Sequence, residues 1–290
     1  MKPFEYLEPT TVSEACALLK KGGGEARVFA GGALMTILMK EGLLEPKTLI
    51  NIKRISGLKG IDFHPQEGLA IGALVTHHEL ETSGIVKEKL PILCAVEKDV
   101  ANIRVRSMAT VGGNLASGEP LTDLPQVFIA LDARIKIASS SGERVMPLED
   151  LYVDYYQTRL AGDEIVTQVI VPPVPERTGI EYIRFSSSSV VDKPCVGVAT
   201  RISLGPQRLC QTVRIVLGCV GPTPLRAKKA EALVAGKPLD PKLAEEAGAV
   251  ATGECSPVSD LRGSERYKRA VVGVLVRRAL AQAYESASRS

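Results

Sequence analysis

Thr110-Val111-Gly112-Gly113-Asn114-Leu115-Ala116, read together with Ala30-Gly31-Gly32-Ala33-Leu34, decides the fold. Paired glycines let successive backbone N–H groups turn toward one point and let an anion approach the main chain, and a helix that starts just after them adds its partial positive charge. A phosphate or pyrophosphate is the guest such loops suit. Neither stretch has the Gly-x-Gly-x-x-Gly or P-loop spacing, which disfavours a Rossmann or P-loop nucleotide site. Taken singly, either Gly-Gly reads first as a structural turn.

Around the first pair, Arg27-Val28-Phe29-Ala30 reads as a buried strand, Gly31-Gly32 as a turn and residues 33–40 as a helix ending near Gly42. Thr11-Val12-Ser13-Glu14 fits a capping box for an earlier helix stopped by Gly22-Gly23-Gly24, and Thr48-Leu49-Ile50-Asn51-Ile52 is the following strand. A βαβ unit is therefore expected to lead into a mixed sheet through strands near 58–63 and 69–74. Thr76-His77-His78-Glu79 is a second capping box, followed by a helix over about 86–98 that Pro91 breaks or starts. Residues 104–125 read as a long loop, of the kind that is usually functional. A hairpin at 134–146 and a strand at 164–171 precede Pro172-Pro173-Val174-Pro175, which is excluded from helix interiors and central strands and marks a domain boundary. Beyond it, strands at 180–185, 196–204 and 209–219 followed by helices near 226–235, 241–251 and 264–284 predict an antiparallel sheet with helices on one face.

The 290 residues carry a net charge of +3, 45% hydrophobic residues and 24% charged ones, the balance of a globular chain of about two domains. No basic stripe interleaved with aromatics appears, so nucleic acid is not an expected partner. The apolar run at 271–276 falls far short of the roughly 18 residues that suggest a membrane span, and the N-terminus has acids and prolines where a secretory signal would be basic and apolar. A cytoplasmic location is expected. The six cysteines are scattered without a Cys-x-x-Cys pair, which argues for buried reduced thiols, Cys195 included, and against a zinc ribbon or an iron-sulfur cluster held by this chain. His77 and His78 occupy the interior of a capping box and read as solvated first-turn residues, so His77→Ala is expected to leave ligand binding intact. Arg262, Arg266, Lys268, Arg269, Arg277 and Arg278 read as solvated faces of the last helix.

Order and spacing say more than composition. Phe29-Ala30-Gly31-Gly32 is followed by Leu38-Met39-Lys40 and by Asn51-Ile52 with Ile55; Ile103-Arg104 leads into Ala109 and the second glycine stretch; Asp123 precedes Ala130-Leu131-Asp132-Ala133. Near the end stand Asp260-Leu261-Arg262-Gly263-Ser264, Tyr267-Lys268-Arg269 and Arg277-Arg278-Ala279-Leu280. Over almost its whole length the chain resembles the FAD-binding medium subunit of the molybdenum hydroxylases, the group of carbon monoxide dehydrogenase, xanthine dehydrogenase and hydroxybenzoyl-CoA reductase. The Thr-Val-Gly-Gly-Asn-Leu-Ala segment is the most specific part of the match.

The resemblance implies an α+β fold: a two-lobed FAD-binding domain of the vanillyl-alcohol-oxidase/PCMH type at 1–173, with lobes of about 1–55 and 56–173, then a C-terminal domain at 176–285 of the carbon monoxide dehydrogenase flavoprotein type, a three-stranded antiparallel sheet with three helices. It implies that Ala30, Gly31, Gly32, Ala33 and Leu34, with Thr110, Val111, Gly112, Gly113 and Asn114, wrap the FAD pyrophosphate through backbone amides. Gly112→Val should then abolish FAD binding by blocking backbone approach. Asp123 would hold a ribityl or ribose hydroxyl, or simply cap the helix after it. Ile170 or Val171 would line the flavin or belong to the core, and Arg184, within Tyr182-Ile183-Arg184-Phe185, would sit near the flavin ring where the family often has Lys, or be an exposed strand cation.

The family commonly places a polar pair after the first Gly-Gly, where this chain has Ala33-Leu34, and the cysteine-rich loop of the hydroxybenzoyl-CoA reductase branch has no counterpart, so no metal is expected. The implied function is electron transfer. A molybdopterin-binding large subunit and a [2Fe-2S] small subunit would deliver electrons to FAD here, and NAD+, a quinone or another acceptor would take them, with no catalytic side chain required of this chain. Two other readings stay open: a free-standing FAD-dependent oxidoreductase, and a flavin-free assembly subunit, which Ala33-Leu34 supports.

Overall fold

In the computed structural model, which describes residues 2–189 and 192–289, three principal sheets succeed one another along the chain; Met1, the start of the expected first domain, lies outside these residues. The first sheet is parallel, with Glu5–Leu7, Thr48–Asn51 and Ala26–Phe29 in that spatial order. The second is antiparallel and runs Ile61–His64, Gly68–Gly72, Ile165–Val171, Arg134–Ser139, Gly142–Pro147. The expected mixed sheet is thus two sheets. The reason is local: Asn51 caps the 3-10 turn Ile52–Arg54, a second turn Ser56–Leu58 follows, and together they lead the chain off the parallel sheet before another strand can add. The helix Val12–Gly22 joins the two, burying Ala15, Cys16 and Leu19 among Ile50, Ile52, Ala138 and Ile165.

The helix Leu124–Ala130 is buried at all seven positions, including Gln126, whose side-chain amide donates to the Thr122 carbonyl. It lies between the five-stranded sheet and the C-terminal sheet, sharing one core with Ile71, Ile135, Val169, Ala199 and Val216. Full burial of a side chain such as Phe128 stabilises the fold by about 2–3 kcal/mol. Gly218 makes the close approach possible: a Cβ there would lie 1.6 Å from the Gln126 amide nitrogen.

The C-terminal sheet has four strands, Thr178–Phe185, Val196–Leu204, Cys210–Gly218 and the two-residue Leu225–Arg226, one more than expected because two residues show no periodicity. Every residue of Val196–Leu204 is buried, the pattern of a central strand covered on both faces. The helices Lys228–Val234, Pro241–Thr252 and Glu265–Arg289 cover its other side. The expected long loop at 104–125 contains two short helices, Ile103–Arg106 capped by Asn102 and Val111–Ala116 capped by Thr110. Pro91 starts a helix of its own, so the 86–98 stretch is Gly84–Lys89 and Pro91–Lys98. All six cysteines are buried free thiols, and burial pushes each thiol up. Lys268 departs from the solvated face assigned to it: it is 1% exposed, with Nζ 2.8 Å from Asp260 Oδ1 and donating to the Val258 carbonyl. Among the described residues no helix is long and apolar enough to cross a membrane.

Candidate functional site

The two glycine turns meet. Gly31 follows the Ala26–Phe29 strand, and a Cβ on it would lie 2.1 Å from the Met108 carbonyl oxygen and 2.8 Å from Ala109 Cα, so only glycine lets the first turn lie against the entry to the second. Gly32 has φ +76°, the left-handed region, and caps the Ala33–Lys40 helix without a side-chain hydrogen bond. Among the described residues the N–H groups of Gly31, Gly32, Ala33 and Leu34 have no hydrogen-bond acceptor. Open donors at the positive end of a helix form an anion cradle. Its donors are main-chain, so Ala33 and Leu34 supply them despite lacking polar side chains.

The second turn is built differently. Thr76 and Thr110 form an antiparallel bridge, His77 N–H donates to Ala109 O (3.1 Å), and Val111 N–H donates to Val75 O (2.8 Å). Gly112 N–H donates to Ala73 O (2.9 Å), Gly113 N–H to Thr110 Oγ1 (3.1 Å) and Asn114 N–H to Thr110 O (2.9 Å). These amides are spent within the protein, so the amide wrapping expected of this loop is not what the structure offers. Gly112 itself faces Ala73, whose Cβ would lie 2.5 Å from an added Cβ; it is a packing glycine, not the point of ligand approach. The loop instead leaves Gly113 exposed and the Asn114 Oδ1 buried without a partner. An unsatisfied buried acceptor costs about 1–3 kcal/mol, which a ligand hydroxyl would relieve.

Asp123 sits at the N-cap position of Leu124–Ala130 but makes no capping bond. Its Oδ1 accepts a 2.7 Å hydrogen bond from Tyr182 and lies 3.2 Å from Arg184 Nε, both on the first strand of the C-terminal sheet. Burial pushes the Asp123 carboxyl up against the opposing pull of Arg184, and burial with the nearby Asp123 pushes the Tyr182 hydroxyl well above its usual range. Arg184 is no exposed cation: its side chain is 10% exposed and donates to the carbonyls of Asp99 (2.6 Å) and Asp192. Ile170 is not brought to the glycine turns. It pairs with Ala70 and Arg134 and lines a separate hollow with Asp62, His64, Glu67 and Gln168.

Several residues of this neighbourhood escaped sequence reading. His77, expected in solvent, is 2% exposed, with Nδ1 2.8 Å from Oε2 of the fully buried Glu97. His78 is the solvated one of the two, beside Glu81. Glu119 is buried, accepting from Lys193 Nζ (2.6 Å) and Tyr156 (3.1 Å). Glu97 closes the apolar run at 92–96 and is followed by Lys98 and Asp99, so its sequence setting is that of a solvated helix end and gives no signal of burial.

Open amides on a tight glycine turn, an orphaned buried acceptor on its neighbour and a buried carboxylate beyond them suit a ligand with a pyrophosphate and a polyhydroxyl chain, which is what an FAD-binding subunit must hold. The chain belongs to the family of the FAD binding domain in molybdopterin dehydrogenase, which matches residues 2–174, and the carbon monoxide dehydrogenase flavoprotein C-terminal domain matches residues 181–283. It is 34% identical over 283 residues to the carbon monoxide dehydrogenase medium chain of Hydrogenophaga pseudoflava, covering 97% of each chain. It is 33% identical over 289 residues to the 6-hydroxypseudooxynicotine dehydrogenase complex subunit alpha of Paenarthrobacter nicotinovorans, covering 99% of this chain and 97% of that one. A solved structure of carbon monoxide dehydrogenase from Hydrogenophaga pseudoflava superposes with a TM-score of 0.94 at 34% identity over 99% of each chain. The fold is that of the medium chain in those enzymes, as the resemblance implied.

Proposed function

We propose that this chain is the electron-relay subunit of a molybdenum hydroxylase complex, taking electrons from the [2Fe-2S] clusters of a small subunit, which a molybdopterin-binding large subunit reduces, and passing them to NAD+, a quinone or another acceptor. FAD supplies the chemistry that makes this exchange possible, since it takes up electrons singly or in pairs. The residues proposed to hold it are Ala30 to Leu34 through their amides, Asn114 through its side-chain oxygen on the Thr110–Asn114 turn, and Asp123. Arg184 and Tyr182 orient Asp123 and exclude water from it. The proposed division of labour follows the chain: residues up to about 173 form the cofactor domain, and 176–285 brace it through Tyr182 and Arg184.

The observation that carries this reading is the pair of glycine turns in contact, one with four open amides. It is tested by redox titration of the purified complex. After reduction with dithionite, NAD+ or a quinone should reoxidise both flavin and cluster absorbance, and a flavin-free complex should leave its clusters reduced. Equal reoxidation without flavin would remove the relay.

A further inference from the structure

The ring of His77 and the carboxylate of Glu97 have no part in the FAD site as described, yet the main chain of His77 is bonded to the entry of the second glycine turn. We infer that His77 and Glu97 are a buried positioning pair that holds the Ala109–Val111 segment, and with it Asn114, in the geometry FAD needs; the inference rests on the FAD reading above.

The clamp is short and doubly engaged. His77 Nδ1 lies 2.8 Å and 3.1 Å from the two Glu97 oxygens, and neither residue is more than 2% exposed. The main chain of the same histidine donates to the Ala109 carbonyl, and the flanking Thr76–Thr110 bridge and the Val111 N–H to Val75 O bond continue the tether into the glycine turn. Glu97 fixes where the His77 ring sits, and hence where the first residue of the His77–Thr82 helix places its N–H. The Pro91–Lys98 helix that carries Glu97 ends at Asp99, whose carbonyl receives Arg184. One helical turn therefore ties the second glycine turn on one side and the Asp123–Arg184 pair on the other.

Packing alone does not call for this arrangement. Leu80, Leu93, Cys94 and Val96 of the same helices belong to the hydrophobic core, with the carboxylates of Asp123 and Glu81 near enough to oppose a charge on Glu97, and a hydrophobic pair of similar volume would avoid the cost of burying a hydrogen-bonded charge there. What an apolar pair lacks is direction, which a ring nitrogen between two carboxylate oxygens has.

The test uses the full chain and FAD itself, with affinity read from flavin fluorescence and folding from thermal unfolding. The double variant His77→Leu with Glu97→Met should fold but bind FAD about tenfold more weakly or worse. Glu97→Gln, which keeps an acceptor for Nδ1–H, should bind within about threefold of wild type. Glu97→Asp retracts the carboxylate by one methylene and should weaken FAD binding while the chain stays folded, which keeps the test valid if the double variant does not fold. Wild-type affinity in a folded double variant or in folded Glu97→Asp overturns the inference and leaves the pair a packing element. A wild-type chain that takes up no FAD overturns the FAD reading, and the inference with it.

Discussion

Gly31 and Met108 approach so closely that a Cβ on Gly31 would lie 2.1 Å from the Met108 carbonyl oxygen. Residues 77 positions apart in sequence thereby bring a turn whose amides have no acceptor among the described residues against the entry of a turn whose Val111, Gly112, Gly113 and Asn114 amides are engaged. The two turns do different work: one offers donors, and the other offers shape and the Asn114 oxygen.

That division makes Gly112 a packing position. Gly112→Val should collide with Ala73 and lower the unfolding temperature along with flavin content, since an added Cβ meets Ala73 Cβ at 2.5 Å and its carbonyl oxygen at 2.8 Å. Gly24→Ala, which meets open space, is the control and should change neither. Thermal melts with and without added FAD check both; a Gly112→Val chain that melts like wild type would contradict the packing assignment.

Asp123 is held by Tyr182 and Arg184 and is 6% exposed, so Asp123→Ala should leave the buried Tyr182 hydroxyl without its acceptor and take the anion away from Arg184, at a cost of about 3 kcal/mol, whereas Asp123→Asn keeps an acceptor for Tyr182 and should cost less. Urea unfolding of the two variants gives the comparison. Equal losses would mean that charge, not hydrogen bonding, carries the contact.

Asp132, which has φ +54°, meets Arg201 and Arg214 of the C-terminal sheet. Burial would raise its carboxyl, but the two guanidiniums outweigh that and hold it below the usual Asp value of 3.8. A depressed folded value contributes stability that is present above the ordinary Asp range and is lost as pH falls through the lower value. Asp132→Asn, tolerated in this backbone region, should therefore be less stable than wild type at neutral pH, with the gap closing below about pH 4. Unfolding midpoints across pH 2–7 check it; a gap that does not narrow on acidification would discount the ion pairs.

Lys268→Met should remove a fully buried cation from Asp260 and the Val258 carbonyl, and loosen the Asp260–Gly263 bridge. A loss of about 3 kcal/mol is expected, the low end for a broken buried pair because Asp260 is partly exposed. Denaturant unfolding measures it, and a loss below about 1 kcal/mol would show the pair to act like a surface bridge.

What was legible in the sequence was local. Gly32 at a left-handed N-cap, the Thr76–Glu79 capping box and Pro91 at a helix start each declare themselves within four residues. Lys268 and His77 do not, because their burial depends on Asp260 and Glu97, brought close by tertiary packing. The second glycine turn reads as a turn, but the engagement of four of its amides was hidden, since Val111 and Gly112 find their acceptors on Val75 and Ala73, some forty residues earlier, while Gly113 and Asn114 turn back on Thr110. Asp123 reads as a holder of an FAD hydroxyl or as a cap, and only the C-terminal strand shows which protein partners its carboxylate takes. Ile170 alternates along its strand onto a face that borders neither turn.

The most direct test of the central claim is the FAD content of the complex purified through this chain, set beside Gly31→Ala. One FAD per wild-type chain is expected, with flavin lost from Gly31→Ala and the molybdenum and iron of the partner subunits unchanged. A wild-type complex without flavin, or a Gly31→Ala complex that keeps its full complement, would contradict the account.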